Sequence, residues 1–275
     1  MRPIGQGVAE VDGVRIAVGV QYDGARFRGW QTQQPGVRTV QTSLEQALAK
    51  VADHPVRLVC AGRTDAGVHG MGQVAHFDTT AIRSVRAWVL GGNANLPDDV
   101  SLSWACPVPA DFHARFTAQA RRYRYLILNQ PYRSALWQGR AAWHYRPLDA
   151  RQMAEAGRAL LGEHDFSSFR AAACQARHPI RELRELTVQR HGTRIVLEVE
   201  ANAFLQHMVR NIAGVLMAIG AGERPVAWAQ EVLEQRDRIR AGITAPAAGL
   251  YLLAVRYPER FELPTVTETM PEFGE

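Results

Sequence analysis

The chain has 275 residues, of which 47% are hydrophobic and 21% charged. That composition excludes a mostly disordered protein, and the length suits one large domain or two ordinary ones whose core needs no disulfide or metal staple. With 32 basic against 27 acidic residues the net charge is +5, and removing the four glutamates after Phe261 leaves +9 on residues 1–261. A basic body points to a polyanionic partner. Lys50 is the one lysine, so nearly all the positive charge is arginine, which makes forked contacts to phosphate and stacks on bases. A GC-rich genome, which favours arginine codons, would account for the arginine bias equally well. Cys60, Cys106 and Cys174 are odd in number and widely spaced, against both a disulfide framework and a cysteine zinc site. Residues 1–13 contain no apolar run of a secretory signal. The most apolar stretch, residues 204–220, carries His207, Arg210 and Asn211 and is shorter than the ~20 residues that span a bilayer. The chain therefore reads as a soluble cytoplasmic protein.

In chain order, the alternation of Val14, Ile16, Val18, Val20 and Tyr22 with smaller or polar residues predicts a half-buried strand. Thr42-Ser-Leu-Glu45 has the form of a capping box, opening a helix with Leu44, Ala47, Leu48 and Val51 on its apolar face. Strands follow near 56–61 and 73–77, a helix near 85–90, and a strand near 101–105. The second half repeats that order. A strand covers 122–128, and Asp149-x-x-Gln152 opens a helix carrying Met153, Leu160 and Leu161. Strands lie near 183–190 and 195–201, helices at 204–220 and 227–235, and a closing strand at 250–256. This element order predicts an α+β protein of two ferredoxin-like (βαββαβ) halves with antiparallel sheets and a central cleft. The expected division is residues 12–113, residues 114–261, and a loose acidic tail at 262–275.

Four segments carry possible chemistry. In Cys60-Ala-Gly-Arg-Thr-Asp-Ala-Gly-Val-His69, Gly62 and Gly67 bracket Arg63 and Asp65, and would permit positive φ and close approach of a ligand. An aspartate that merely caps its own turn fits the same pattern. On the helix at 204–220, His207, Arg210, Asn211 and Gly214 share a face opposite Met208, Ile212, Val215 and Ile219. Arg210 there could pair with and orient a carboxylate on a facing loop, with Asp65 a candidate; a merely solvated helix face is the alternative, and His207 by itself reads as structural. Arg121-Arg-Tyr-Arg-Tyr125 places Tyr123 and Tyr125 on one strand face and Arg122 and Arg124 on the other. It suits base stacking beside phosphates, or a strand with buried tyrosines and solvated arginines. Tyr22-Asp-Gly-Ala-Arg-Phe-Arg-Gly-Trp-Gln31 is a glycine-punctuated loop that could touch nucleic acid or simply pack. Phosphate-loop, dinucleotide and zinc-hydrolase signatures are missing. Phosphoryl transfer, hydride transfer and zinc hydrolysis therefore lack their parts.

Taken together, Gly62-Arg-Thr-Asp-Ala-Gly-Val-His69, Tyr22-Asp-Gly with Phe27-Arg-Gly-Trp-Gln31, Arg122-Tyr-Arg-Tyr125, Phe204-Leu-Gln-His-Met-Val-Arg-Asn-Ile212 and Gly249-Leu-Tyr-Leu252 resemble, in order, the motifs of the tRNA pseudouridine synthase A (TruA) family. The similarity runs from about Ile16 to Tyr257, with Gly70 and Gln206 as small departures from the commonest forms. The resemblance implies an isomerase that converts uridine to pseudouridine at positions 38, 39 and 40 of the tRNA anticodon stem-loop. It implies a homodimer, with neither cofactor nor metal. Motif by motif, it implies that Asp65 is the catalytic carboxylate and that Tyr123 stacks on the target base and assists proton transfer. By the same match Arg210 pairs with Asp65, Arg63 helps to extrude the nucleotide, and Leu250 lines the uracil pocket. Two other readings compete: a non-catalytic RNA-binding protein with two ferredoxin-like domains, which lacks the expected aromatic RNP1 pattern and has no use for Asp65, and a hydrolase, which lacks a second carboxylate or a triad.

Overall fold

A computed structural model describes residues 13–264. The elements are β1 (Val14–Tyr22), α1 (Val40–Ala52), β2 (Val59–Cys60), β3 (His69–Thr79), α2 (Val85–Asn95) and β4 (Val100–Val108), then β5 (Ala120–Asn129), β6 (Ala142–His144), α3 (Ala150–Gly157) and β7 (Gly162–Asp165). The chain continues with β8 (Ile180–His191), β9 (Arg194–Ala201), α4 (Met208–Gly220), α5 (Trp228–Gln235) and β10 (Leu250–Arg256). The mixed α+β class expected from the sequence is present. The acidic tail, from residue 265 on, lies outside the described residues.

All ten strands join one sheet in the order β4-β1-β3-β10-β5-β9-β8-β7, with β2 on β3 and β6 on β5. Pairing is antiparallel except at β3–β10 and β5–β6. The β3–β10 seam is short: only Tyr251 opposite His69 and Leu252 opposite Gly70 pair there. His69 reinforces it. Its ring stacks on Tyr251 with centroids 4.5 Å apart. Its Nδ1 accepts from the Gly24 N–H at 3.1 Å, and its Nε2 reaches the carbonyls of Gly139 and Ala248 at 2.9 and 3.2 Å. The ring thus donates from Nε2, and burial pushes its pKa down.

The period of two in β1 sorts its side chains onto two faces, but both faces are covered and residues 16–20 are all buried, where the sequence predicts a half-buried strand. Ile16, Val18 and Val20 are buried against α1 and α2, where Leu44, Leu48 and Trp88 meet them, while Ala17 packs on the other side with Val74, Val108 and Phe112. In β5, Tyr123, Tyr125 and Ile127 lie under α3 and α4 with Met153, Ile212 and Ile219, and Leu126 and Leu128 face Tyr251 and Leu253. Burial of each such side chain contributes roughly 1.5–3 kcal/mol. Directly opposed residues share a sheet face. The register therefore defines one row across six strands: Val100, Tyr22, Gly70, Leu252, Tyr123 and Val199.

Two helix starts differ from the sequence expectation. Thr39 caps α1, its hydroxyl accepting from the Thr42 N–H, so the helix begins before the predicted box. Glu45, the expected box partner, instead accepts from Gln41 Nε2 at 2.8 Å and from the Leu58 N–H at 2.9 Å, tying the helix to the chain entering β2. Helix α4 begins at Met208 rather than Phe204, because His207 takes a left-handed conformation with φ 63° that cannot continue a right-handed helix. Two strands had no prediction, the three-residue β6 and the polar, half-exposed β7. No helix among the described residues is long and apolar enough to cross a membrane.

Candidate active site

The loop between β2 and β3 is fixed at several points before Asp65 is presented. The Trp30 N–H donates to Thr64 O at 3.0 Å and the Val68 N–H to Asp65 O at 3.2 Å. Gly29 runs against this turn with φ 96°, and a Cβ there would stand 2.9 Å from Thr64 O. The Tyr22 hydroxyl, buried at the end of β1, shares a 2.8 Å hydrogen bond with Thr64 Oγ1. Of the two glycines expected to permit positive φ, Gly67 does so, at 79°, while Gly62 does not; the Tyr123 hydroxyl stands 3.6 Å from where a Gly62 Cβ would lie.

Arg121 supports the same loop from β5. Its guanidinium is buried and donates to four backbone carbonyls: Ala61 at 3.0 Å, Arg115 at 2.7 Å, Ala118 at 3.2 Å and Asn202 at 3.0 Å. Burial draws its pKa down from the usual arginine value. Sequence reasoning passed over Arg121, although the same alternation that groups Tyr123 with Tyr125 puts Arg121 on their face.

Asp65 meets two side chains from the start of α4. Arg210 NH1 lies 3.3 Å from Asp65 Oδ2, and His207 Nε2 lies 3.2 Å from the same oxygen. Arg210 Nε donates to Ala245 O at 2.8 Å, and the Ala245 N–H donates back to Arg210 O at 3.1 Å, so the arginine is held from behind. The Asp65 side chain keeps 28% of its surface, which leaves the carboxylate reachable from solvent. Of the four residues grouped on one face of this helix, only His207 and Arg210 reach Asp65. Asn211 is buried and binds Phe169 O at 2.7 Å. Gly214 makes room for Ile243 O, which a Cβ would meet at 2.0 Å.

Tyr123 is buried, packs its ring edge-to-face on Phe204 with centroids 5.0 Å apart, and shares a core with Leu250, which lies opposite Tyr125 on β10. Burial drives the phenol pKa up, with nearby Arg121 opposing and Asp65 adding to the rise. The Tyr123 hydroxyl therefore stays protonated around neutrality. Arg63 is exposed two residues before Asp65. Arg122 and Arg124 do not flank an open aromatic platform: they project from the opposite face and both bind Glu198. Nor does the Tyr22–Gln31 loop offer its aromatics outward. Phe27 and Trp30 are buried, and Arg26 and Arg28 are exposed.

An accessible carboxylate on a rigid loop, oriented by an arginine and an imidazole and bordered by a neutral tyrosine, is equipment for nucleophilic or proton-transfer chemistry. A family model described as tRNA pseudouridine synthase matches residues 18–117 and 156–258. The chain belongs to that family and, with it, is an isomerase acting in tRNA pseudouridylation. Among its relatives is a protein of Pseudomonas aeruginosa named tRNA pseudouridine synthase A, 58% identical over 250 residues, covering 91% of this chain and 88% of the relative. Proteins of the same name from Alcanivorax borkumensis and Nitrosococcus oceani are each 57% identical, covering 91% and 92% of this chain and 94% and 98% of the relatives. A chain of a solved Cbf5-Nop10-Gar1 complex aligns over 86% of this chain and 48% of its own length, at 11% identity and a TM-score of 0.33, too low to speak to the fold.

Proposed function

We propose that the protein isomerises uridine to pseudouridine at positions 38, 39 and 40 of the tRNA anticodon stem-loop, with Asp65 as the catalytic carboxylate. The observation that carries this reading is the Asp65 carboxylate, exposed on one side and held on the other by Arg210 and His207. The target base leaves its stack at a cost of a few kcal/mol and needs an apolar, aromatic receiver. Tyr123 and Leu250 are suited to that part, and exposed Arg63 to holding the vacated place in the stem. The N1–C1′ bond then breaks, the uracil turns, C5 joins C1′, and the C5 proton leaves as N1 gains one. Asp65 acts either as nucleophile or as base on the ribose 2′-hydrogen. A neutral Tyr123 serves as stacking surface and hydrogen-bond donor rather than as a phenolate base.

In this reading the chain comprises halves 12–113 and 114–261. Strand orders β4-β1-β3-β2 and β10-β5-β9-β8 support two ferredoxin-like units joined in one sheet. We extend the proposal to a cytoplasmic homodimer, needing neither cofactor nor metal, that grips one tRNA. Non-catalytic RNA binding would leave the clamped Asp65 without a purpose, since a carboxylate repels phosphates.

The test is tritium release from tRNA labelled at uridine C5, with wild-type protein and Asp65→Asn side by side. Release by wild type alone, with tRNA bound by both, is the expected result. Binding without release by either protein would leave an RNA-binding protein.

A further inference from the structure

His207 combines an uncommon backbone conformation with a contact to the reacting group. Its φ of 63° lies where residues other than glycine rarely sit, and it stands immediately before the first residue of α4. That conformation comes where the imidazole meets Asp65. An observed outlier at a site is a reason to look for a role.

The geometry of Arg210 supplies one. A forked, two-bond arginine–carboxylate contact fixes the plane of the carboxylate, but Arg210 does not make one. Its Nε is committed to Ala245 O, and the NH1 contact to Asp65 is a single one at 3.3 Å. One such bond lets a carboxylate turn about its own axis and exchange its oxygens. His207 Nε2 approaches the same Oδ2 at 3.2 Å.

We propose that His207 is a positioning residue: with Arg210 it clamps Oδ2 of Asp65 and so leaves Oδ1 as the oxygen that reacts. Nε2 is the ring nitrogen that meets the carboxylate, at ion-pair distance from Oδ2. The backbone part of residue 207 is separable, because its carbonyl accepts from the Asn211 N–H at 2.9 Å whatever the ring does. The inference rests on Asp65 being the reacting carboxylate.

The separation makes the test clean. Asparagine tolerates the left-handed conformation but is too short to reach Asp65, whereas glutamine sets an amide N–H near the place of Nε2. Single-turnover rates at saturating enzyme, tRNA dissociation constants and melting temperatures would be measured for His207→Asn and His207→Gln. A rate loss of about 10- to 100-fold is expected for His207→Asn, the scale of a misplaced reacting group, with affinity and melting unchanged. His207→Gln should recover most of that loss. A wild-type rate in His207→Asn would overturn the inference, as would a rate loss matched by lost affinity or stability, or one that glutamine does not rescue. Active Asp65→Asn, or wild-type protein that binds tRNA without turnover, would instead overturn the proposed function itself.

Discussion

Gly70 lies opposite Tyr22 in the β1–β3 ladder, and a Cβ on Gly70 would stand 2.3 Å from the Tyr22 ring. The absence of a side chain at Gly70 is therefore what lets Tyr22 lie across β3 and reach Thr64. Gly70→Ala should push the ring aside, cost about 1–3 kcal/mol as overpacking does, and lower turnover by loosening the Asp65 loop. Urea unfolding and single-turnover kinetics on the same preparation check this; an unchanged midpoint would mean the ring has room to move.

Tyr123 separates two roles that one residue can hold. Since burial keeps its phenol protonated, Tyr123→Phe should retain the rate within about tenfold, less than the 10²–10⁴-fold expected on losing a general base. Tyr123→Ala should lose far more, through base capture and a cavity costing about 3–5 kcal/mol. Rates for the two variants at several pH values decide it, and an inert Tyr123→Phe would restore proton transfer to the hydroxyl.

Arg121 should behave as a structural keystone rather than a phosphate ligand. Arg121→Met strands four carbonyls that the guanidinium now satisfies, and should cost about 3 kcal/mol or more. Faster hydrogen exchange around Ala61 and Gly62 should accompany it. A variant that melts normally but binds tRNA weakly would show that the charge is used outward.

Acid sensitivity should centre on His76. Its ring is buried, accepts from the Ala114 N–H, and has its pKa pushed down to about 4, first by burial and then by Arg15. The unfolded ring takes a proton near 6.5, so the unfolded chain binds more protons between those values. The contribution to stability is whole above about pH 6.5 and is lost as pH falls toward about 4, amounting to at most about 3 kcal/mol. Unfolding free energies from pH 8 to 4 should show that slope, and His76→Gln should reduce it, with a remainder from His69, whose pKa burial also lowers.

What the sequence discloses depends on how local the cause is. The spans of β1 and β10 are as the sequence predicts, and Asp149 caps α3 as its spacing predicts, with its carboxylate accepting from Arg151 and Gln152 N–H groups. The start of α4 is not legible, because the left-handed turn at His207 accompanies a contact with a residue far away in sequence. Strand β7 escapes because Gly162-Glu-His-Asp165 has no apolar face to betray it. Asp65 and Arg210 are already candidates from the glycine-bracketed loop and the polar helix face, and the structure brings them together. Alternation rightly separates Tyr123 from Arg122 and Arg124, but only the fold reveals that Glu198 occupies those arginines.

The last described strand does not lie at an edge. Strand β10 is inserted between β3 and β5, so the middle of the sheet is supplied by the final stretch of described chain. A protein emerging from the ribosome has made Asp65, Tyr123 and Arg210 long before it can join them. Until Leu250–Arg256 arrives, β3 and β5 each present an edge covered only in part, by β2 and β6, a hazard for wrong pairing in a nascent chain. Seam formation between His69 and Tyr251 also closes a very long loop, which makes it a slow step. Enzymatic competence is thus a late event in biosynthesis, and chains shortened before Leu250 should never acquire it.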